Sequence, residues 1–189
     1  MKILNEAFEE SIIAKSKTLE LYSNSIINAA EIIYEAIKNG NKILICGNGG
    51  SAADSQHLAA EFIVRFKNNR DPIPAIALTT DSSILTAASN DYDFSDIFSR
   101  QIKGLSKKND VLIAISTSGN SRNIVNAIKT SVENNVKTIL LTGKNSGQCS
   151  DLRIDEVVNV FSENTARIQE THILILHFFC TYIESKLLV

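Results

Sequence analysis

Short apolar runs alternate with longer amphipathic stretches along most of this 189-residue chain. Runs of four or five apolar residues are typical of buried strands, whereas apolar positions three and four apart indicate helices. We expect strands at 43–46, 75–78, 111–115 and 138–141, and an edge strand at 156–160. We expect helices at 51–65, 82–88, 94–105, 122–133 and 165–187. This alternation predicts a parallel sheet covered by helices on both faces.

The first 40 residues stand outside this alternation. Two further helices are expected there, at 5–22 and 25–38, and Gly40 is expected to end the second one. Helices that precede the first strand cannot connect strands of the sheet, so we expect them to pack across it or against another subunit. The chain is therefore predicted to be a single α/β domain over residues 1–189. It has a doubly wound parallel sheet and extra N-terminal helices in residues 1–40.

Composition narrows the possible partners. Hydrophobic residues make up 44% of the chain and charged residues 21%, which is ordinary for a soluble globular protein. A formal net charge of −2 gives no basic surface for nucleic acid, and no apolar run reaches the ~18 residues of a membrane span. The three cysteines are widely spaced, and the N-terminus lacks a signal-peptide pattern. We therefore expect a cytoplasmic protein with reduced thiols, no nucleic-acid partner and no membrane partner.

The segment 43–66, ILICGNGGSAADSQHLAAEFIVRF, contains the strongest local motif. Its apolar run is followed by the glycine-rich segment 47–50 and then by Ser51, a residue type that caps helices. A strand, a glycine loop and a helix N-terminus in this order create an anion site, because unpaired N–H groups and the helix dipole point to one place. His57 and Glu61 follow in the same helix, close to whatever the loop binds.

Ligands of such sheets bind beyond the carboxyl ends of the strands. Three segments are expected to meet there: 47–51, the pair Asn90 and Asp91, and 116–121. The third segment, Ser-Thr-Ser-Gly-Asn-Ser, is rich in hydroxyls and leads directly into a helix. Small hydroxyls and backbone amides can hydrogen-bond phosphate oxygens without the bulk of a long side chain. The sequence therefore predicts a phosphate-binding site formed by loops at one sheet edge.

Other phosphate ligands fit the glycine segment less well. It is not a Walker motif, because no Gly-Lys-Ser or Gly-Lys-Thr follows the glycines. It satisfies a loose dinucleotide fingerprint, with Gly47, Gly49 and Ala52 at the three small positions. That alternative needs an acid after the second strand to bind a ribose, and Asp81 is a candidate. Asp81 comes late for this role and the segment 116–121 would have no function, so a dinucleotide-dependent oxidoreductase is disfavoured.

Four segments together resemble one known family: GNGGSAADSQHLAAE, ASNDY, ISTSGNS and RIQETHILILH. They are similar to the sugar isomerase (SIS) domain family and, within it, to the phosphoheptose isomerases. The resemblance covers essentially the whole chain, including the N-terminal helices. It implies a flavodoxin-like SIS domain, a homotetramer, and conversion of sedoheptulose 7-phosphate to D-glycero-D-manno-heptose 7-phosphate through an enediol. That reaction begins heptose biosynthesis for lipopolysaccharide or capsule.

The resemblance also implies the site residues. The two residues expected to transfer protons are Glu61 and His177. Contacts with the phosphorylated sugar are implied for Asn48, Gly49, Gly50, Ser51, Glu61, Asn90, Asp91, Ser116, Thr117, Ser118, Ser121 and Gln169. One zinc ion per subunit is implied, with the ligands His57, Glu61, Gln169 and His177. Some relatives carry an acid where this chain has Ala166, and we expect activity to survive that loss.

Elementary chemistry agrees with these assignments. Isomerisation moves a proton between C1 and C2, so it needs a base beside the carbon and stabilisation of the oxygens. His57 and Glu61 are four residues apart on one helix face, a spacing that suits two zinc ligands. Gln169 and His177 lie ~12 Å apart along one helix, so we expect a site shared between subunits, with residues such as Glu61 and His177 drawn from different chains. The main alternative is a non-enzymatic SIS protein that binds the replication initiator; the relative of this kind lacks a histidine matching His177.

Overall fold

The computed structural model describes residues 1–187 and contains a five-stranded sheet between two helical layers. The strands are β1 (Ile43–Gly47), β2 (Ala75–Ala77), β3 (Val111–Ser116), β4 (Lys137–Thr142) and β5 (Glu156–Asn159). Their order is β2-β1-β3-β4-β5, and every neighbouring pair is parallel. This is the flavodoxin-like order of a doubly wound sheet, so the predicted fold class and the edge position of β5 are confirmed.

In residues 1–187, six α-helices accompany the sheet. They are α1 (Lys2–Lys38), α2 (Gly50–Ile63), α3 (Ser82–Asp91), α4 (Ile97–Leu105), α5 (Arg122–Glu133) and α6 (Thr165–Leu187). The first, second and sixth pack on one face of the sheet, and the other three pack on the opposite face. Short 3-10 turns occupy Phe94–Asp96 and Gly147–Asp151. No helix in this part of the chain is long and apolar enough to cross a membrane.

Burial of both sheet faces explains the continuous apolar runs. In β1, Ile43 and Ile45 face the layer of α1, α2 and α6, whereas Leu44 and Cys46 face the opposite layer. All four side chains are fully buried. The run is therefore two interleaved apolar faces, which is why it lacks the alternation of a half-exposed strand.

The N-terminal region is one helix rather than the two that the sequence predicts. α1 runs without a break from Lys2 to Lys38, through the polar segment 23–25. No glycine or proline interrupts it, and a polar triplet costs too little helix propensity to end a helix that packs along α6. Gly40, with a φ of +75°, follows the helix end as expected.

Two of the other boundary differences involve site residues. Gly49, with a φ of +54°, is the N-cap of α2, so the helix begins earlier than a cap at Ser51 would allow. Ser51 therefore lies buried inside the first turn. α3 extends to Asp91, so Asn90 and Asp91 belong to its last turn and not to a loop.

Candidate active site

Two loops leave the carboxyl edge of the sheet side by side. β1 and β3 are neighbours, and Gly47 pairs with Ile115 at their ends. We call residues 47–50 the glycine loop and residues 116–121 the serine loop. The first leads into α2 and the second into α5. Two helix N-termini, each with the positive end of its dipole, therefore border one region.

A reciprocal amide pair joins the two loops. The Asn48 side chain donates to Asn123 Oδ1 at 2.9 Å, and the Asn123 side chain donates back to Asn48 Oδ1 at 2.8 Å. Asn123 lies buried in the first turn of α5. Each amide still has one N–H and one lone pair for other partners. The pair therefore sets the distance between the loops and leaves Asn48 able to contact a ligand.

Backbone packing shapes the serine loop. Gly119 has a φ of +64°, and a Cβ built there would lie 1.9 Å from the carbonyl oxygen of Ser146. The Gly119 N–H donates to Ser116 Oγ at 3.2 Å, and the Gly143 N–H donates to Thr117 O at 3.1 Å. A side chain at residue 119 would push the loop away from this neighbour. The loop conformation therefore depends on a glycine as well as on the hydroxyls.

The serine loop offers hydroxyls to a ligand. Ser121 is the N-cap of α5, yet within the described residues its side chain forms no capping hydrogen bond. Its Oγ lies 3.5 Å from Ser116 Oγ. Ser118 is exposed, and a cavity of about 290 Å³ opens beside Thr117 and Ser118. An N-cap hydroxyl that does not cap its own helix can donate to an anion, which favours phosphate binding here.

A second group of polar side chains lies between α2 and α6. His57 Nε2 is 3.2 Å from Glu61 Oε1 and 3.2 Å from His177 Nε2. We call these three residues the proton-transfer cluster. The side chains of His57 and Glu61 are 44% and 24% exposed, so a ligand can reach them. A carboxylate and two imidazoles in contact can accept, donate and relay protons near neutral pH.

The surroundings of His177 favour its neutral form. Phe66 stacks on its ring, with 5.2 Å between ring centroids and 29° between ring planes. Burial lowers the pKa of His177 below the usual histidine value, the neighbouring His57 lowers it further, and Glu61 opposes the shift. A neutral imidazole can accept a proton or bind a metal ion.

The proton-transfer cluster has the donor chemistry of a zinc site. Imidazole nitrogen and carboxylate oxygen are typical zinc ligands, and two ligand atoms at ~2.0–2.1 Å from a tetrahedral zinc lie ~3.3 Å apart. The two separations of 3.2 Å around His57 Nε2 fit that spacing. Within residues 1–187, no group of three or more His, Cys, Asp or Glu side chains is arranged as a complete metal site. The residues therefore fit zinc in donor type and in pairwise spacing only.

Gln169 lies apart from the cluster. Its amide packs on Gly50, where a built Cβ would lie 2.6 Å from Gln169 Nε2. Gln169 and His177 are eight residues apart on α6, or ~12 Å along its axis. Gly50 and His57 are seven residues apart on α2, so the two helices run side by side in the same direction. Gln169 is thus a neighbour of the glycine loop, and its place among the zinc ligands stays a prediction.

Two other expectations concern how the site is assembled. Glu61 and His177 both contact His57 in the same chain, so this pair does not need two chains to meet. Because Gln169 lies apart from His177, a site shared between subunits stays a prediction. Asn90 and Asp91 are exposed at the end of α3, where the Asn90 amide donates to Asp91 Oδ1 at 2.8 Å. Among the described residues, neither forms a hydrogen bond with the glycine loop or the serine loop. Their contact with the sugar stays a prediction.

Three residues near the site are not apparent from sequence motifs: Asn123, Phe66 and Asp54. The first two contact site residues that are distant in sequence, so only the fold reveals them. Asp54 lies on the stripe of α2 that also carries Gly50 and His57, and helical spacing could have indicated it. Its Oδ2 is buried without a hydrogen-bond partner in the described part of the chain. Burial raises the pKa of Asp54, and His57 opposes the rise.

The arrangement combines a candidate anion site with side chains that are able to accept and donate protons. The anion site lies at two helix N-termini, and the proton-transfer cluster lies two turns further along α2. Such a site can bind a phosphorylated small molecule and transfer protons on it. Asp81, in contrast, accepts the Ile84 N–H at 2.9 Å and caps α3, so this carboxylate has a structural use and does not favour a ribose site.

Comparison with known proteins agrees with this chemistry. The SIS domain family model matches residues 7–143. The phosphoheptose isomerase of Dechloromonas aromatica (strain RCB) is 50% identical over 183 residues, which cover 96% of this chain and 93% of that protein. A phosphoheptose isomerase structure from Neisseria gonorrhoeae has a TM-score of 0.92 at 44% identity, covering 97% of this chain and 98% of that one. One from Francisella tularensis has a TM-score of 0.94 at 39% identity and covers 97% of each chain.

Proposed function

This chain belongs to the SIS domain family and to its phosphoheptose isomerases, and we propose that it converts sedoheptulose 7-phosphate to D-glycero-D-manno-heptose 7-phosphate. It is an aldose–ketose isomerase acting in the first step of heptose biosynthesis for lipopolysaccharide or capsule. The observation that carries the proposal is the proton-transfer cluster of His57, Glu61 and His177 beside two anion-binding loops. A dinucleotide enzyme or a purely binding protein has no need for that combination.

The phosphate group binds at the N-termini of α2 and α5 in this proposal. Hydroxyls and N–H groups there can satisfy its oxygens without a cationic side chain. Two observations support this role: in residues 1–187 the Ser121 hydroxyl forms no capping hydrogen bond with its own helix, and an amide pair joins the two loops. The proposed phosphate contacts are Ser51, Ser116, Thr117, Ser118 and Ser121. The proposed sugar contacts are Asn48, Gly49, Gly50, Asn90, Asp91 and Gln169.

Proton transfer falls to Glu61 and His177. Conversion of the ketose removes a proton from C1 and returns one to C2, while a hydroxyl proton moves from O1 to O2. Glu61 carries the carbon-bound proton, because a positioned carboxylate can accept it and give it back. His177, whose pKa burial lowers, is neutral and exchanges a proton with the oxygens. His57 lies between them and holds both in contact.

One zinc ion per subunit is part of the proposal. His57, Glu61 and His177 would hold it on this chain. Gln169 is the fourth zinc ligand that the family resemblance implies. Bound zinc supplies polarisation of the sugar oxygens. Elemental analysis of purified wild-type protein and of His57→Ala tests this. We expect about one zinc per chain in the wild type and a clear loss in the variant, since three protein ligands are the usual minimum.

A homotetramer in the cytoplasm completes the proposal. α1 presents exposed apolar side chains, among them Phe8, Ile12 and Leu19, and an apolar groove of about 430 Å³ lies between α1 and α6. Exposed apolar surface on this scale favours a partner subunit. The three cysteines are buried thiols, which suits a reducing compartment. Light scattering after size-exclusion chromatography should give a mass of four chains of 20.7 kDa.

A substrate panel tests the activity. Purified protein is assayed with sedoheptulose 7-phosphate and with fructose 6-phosphate, and its thermal stability is measured with each sugar and with NAD. We expect turnover and stabilisation with the heptulose phosphate. Stabilisation by NAD alone would point to the dinucleotide alternative. A stable protein that binds the sugar phosphate without turning it over would point to a binding protein.

A further inference from the structure

A buried ion pair lies behind the proton-transfer cluster, between the end of α2 and the end of α6. Glu184 Oε1 is 3.4 Å from Arg70 Nε, and the two side chains are 2% and 4% exposed. The Glu184 carboxylate accepts the N–H groups of Phe66 at 3.0 Å, Lys67 at 3.2 Å and Asn68 at 3.0 Å. Burial alone raises the pKa of Glu184, but these hydrogen bonds outweigh burial and hold the pKa below its usual value. The carboxylate is therefore charged.

Arg70 connects this pair to the proposed base. Its Nη2 donates to the Glu61 carbonyl oxygen at 2.7 Å, and its Nη1 donates to the Phe62 carbonyl oxygen at 2.8 Å. These carbonyls belong to the last turns of α2, where a cation also complements the negative end of the helix dipole. Arg70 therefore binds the backbone of the residue whose side chain takes the proton.

Glu184 connects the same pair to His177. The segment 66–68 wraps around its carboxylate, and the first residue of that segment, Phe66, stacks on the His177 ring. One ion pair thus contacts the backbone of Glu61 through Arg70 and the ring of His177 through Phe66. We call Arg70, Glu184 and Phe66 the clasp.

We propose that Arg70 and Glu184 are positioning residues, which hold Glu61 and the Phe66–His177 stack at the separation that isomerisation requires. A buried ion pair adds little to the stability of a fold, since apolar residues of similar volume in its place often make the protein equally stable or more stable. The pair also forms directed hydrogen bonds to six backbone groups, which fix a geometry that apolar residues could not. This inference rests on the proposed function.

A second buried ion pair provides a matched control. Asp110 pairs with Lys42, its side chain is 2% exposed, and it accepts the N–H groups of Lys42 at 3.0 Å and Lys107 at 2.7 Å. It stands at the amino ends of β1 and β3, at the sheet edge opposite the site. Glu184→Gln and Asp110→Asn therefore remove the same charge from similar surroundings, and only the first lies behind the proton-transfer cluster.

Steady-state kinetics at a temperature where all variants are folded is the first readout. Misplacement of catalytic groups by an ångström can cost ~100-fold in rate, so we expect kcat to fall about 10- to 100-fold in Glu184→Gln. KM should change less than about threefold, because the phosphate loops are untouched. Phe66→Leu and Arg70→Lys should lower kcat by smaller factors. Asp110→Asn should keep kcat and KM near the wild-type values.

The second readout does not depend on activity. The chain has three histidines, so the imidazole Cε1–H resonances can be assigned with one His→Gln variant each. A stacked phenyl ring shifts the His177 resonance upfield. We expect this shift to be lost in Phe66→Leu and reduced in Glu184→Gln, and to be retained in Asp110→Asn, at a fixed pH well above ~6.5.

The two readouts separate failure of the clasp from failure of the function. An unchanged His177 resonance in Glu184→Gln, or an equal loss of kcat in Asp110→Asn, would overturn the positioning role. Should Glu184→Gln not fold, Arg70→Lys decides, since it keeps the charge but loses the two guanidinium hydrogen bonds to the carbonyls of Glu61 and Phe62. An unchanged kcat and an unchanged His177 resonance in Arg70→Lys would overturn the positioning role. A His177 shift that depends on Glu184, in a protein without isomerase activity, would uphold the clasp and reject the function.

Discussion

At the two loops, the groups offered to a ligand are held by backbone packing and by the half-buried amide pair of Asn48 and Asn123. In the proton-transfer cluster, by contrast, they are side chains that solvent reaches and that contact one another at 3.2 Å. Gly119 cannot carry a side chain without striking Ser146, whereas His57 is nearly half exposed. The serine loop packs against Ser146 and is joined to the glycine loop by the amide pair, whereas the proposed clasp links the cluster to α6 and to the segment that follows α2.

This difference between the loops and the proton-transfer cluster matches the task proposed for each. Binding a phosphate requires many donors aimed at one place, and backbone amides supply them without a conformational cost. Proton transfer requires groups that change their protonation state, and only side chains can do so. The comparison predicts that changes at the loops weaken binding, whereas changes at the cluster reduce turnover.

Replacing the base should have the largest effect. Glu61→Gln keeps the shape and hydrogen bonding of the side chain but cannot accept a proton. We expect kcat to fall at least ~100-fold, the usual scale of general-base catalysis, with little change in substrate affinity. Stopped assays and calorimetry with the same preparation measure both. A variant that turns over at nearly the wild-type rate would remove Glu61 from the mechanism.

Removing hydroxyls from the serine loop should act on binding. Ser118→Ala and Ser121→Ala each delete a donor to a charged group, which should cost about 1.5–3 kcal/mol of binding free energy. The loss should appear with the sugar phosphate and with inorganic phosphate alike, as measured by calorimetry. Unchanged affinity in both variants would exclude this loop from the phosphate site.

His172 is a structural histidine on α6, in contrast to the proposed role of His177 in proton transfer. It is fully buried, its Nε2 lies 3.2 Å from Thr142 O, and burial lowers its pKa to about 4. Above pH ~6.5, His172 is neutral in both the folded and the unfolded chain. Between pH ~6.5 and the folded pKa, the unfolded chain binds a proton at His172 and the folded chain does not. Wild-type stability should therefore fall by ~1.4 kcal/mol per pH unit from ~6.5 towards the folded pKa.

His172→Gln lacks this contribution. The difference in unfolding free energy between wild type and variant, from urea titrations at several pH values, should shrink as the pH falls through that window. A difference that stays constant would mean that His172 is charged in the folded protein.

The amide pair should have the smallest effect. Asn123→Ala leaves Asn48 with one partner fewer, at about 1 kcal/mol per lost hydrogen bond. We expect KM for the sugar phosphate to rise roughly fivefold and kcat to change little, because the proton-transfer cluster is remote. Asn126→Ala, further along α5, is the control, since its amide donates to Ser95 O and not to the glycine loop. A fall in kcat with unchanged KM would contradict the division of the site into loops that bind the substrate and a cluster that transfers protons.

The sequence predicts the loops better than the cluster, for a physical reason. Glycines, hydroxyls and apolar runs act on their immediate neighbours, so the strands, the parallel sheet and both loops can be predicted from local pattern. The sequence places two boundaries wrongly: the start of α2, which Gly49 caps, and a break in α1, where the structure has one continuous helix. At both positions packing overrides local propensity. Phe66 and Glu184 belong to no sequence motif, because their proposed roles arise from contacts between α6 and the segment that follows α2.

Isotope incorporation tests the central claim most directly. Wild-type protein is given sedoheptulose 7-phosphate in D₂O, and the aldose product is analysed by mass spectrometry and NMR. A carboxylate that is 24% exposed exchanges its proton with solvent, so we predict deuterium at C2 of the product. Product formed without deuterium would mean that the proton travels without solvent exchange, which would contradict a solvent-exposed Glu61 as its carrier. The absence of any aldose product would contradict the proposed activity.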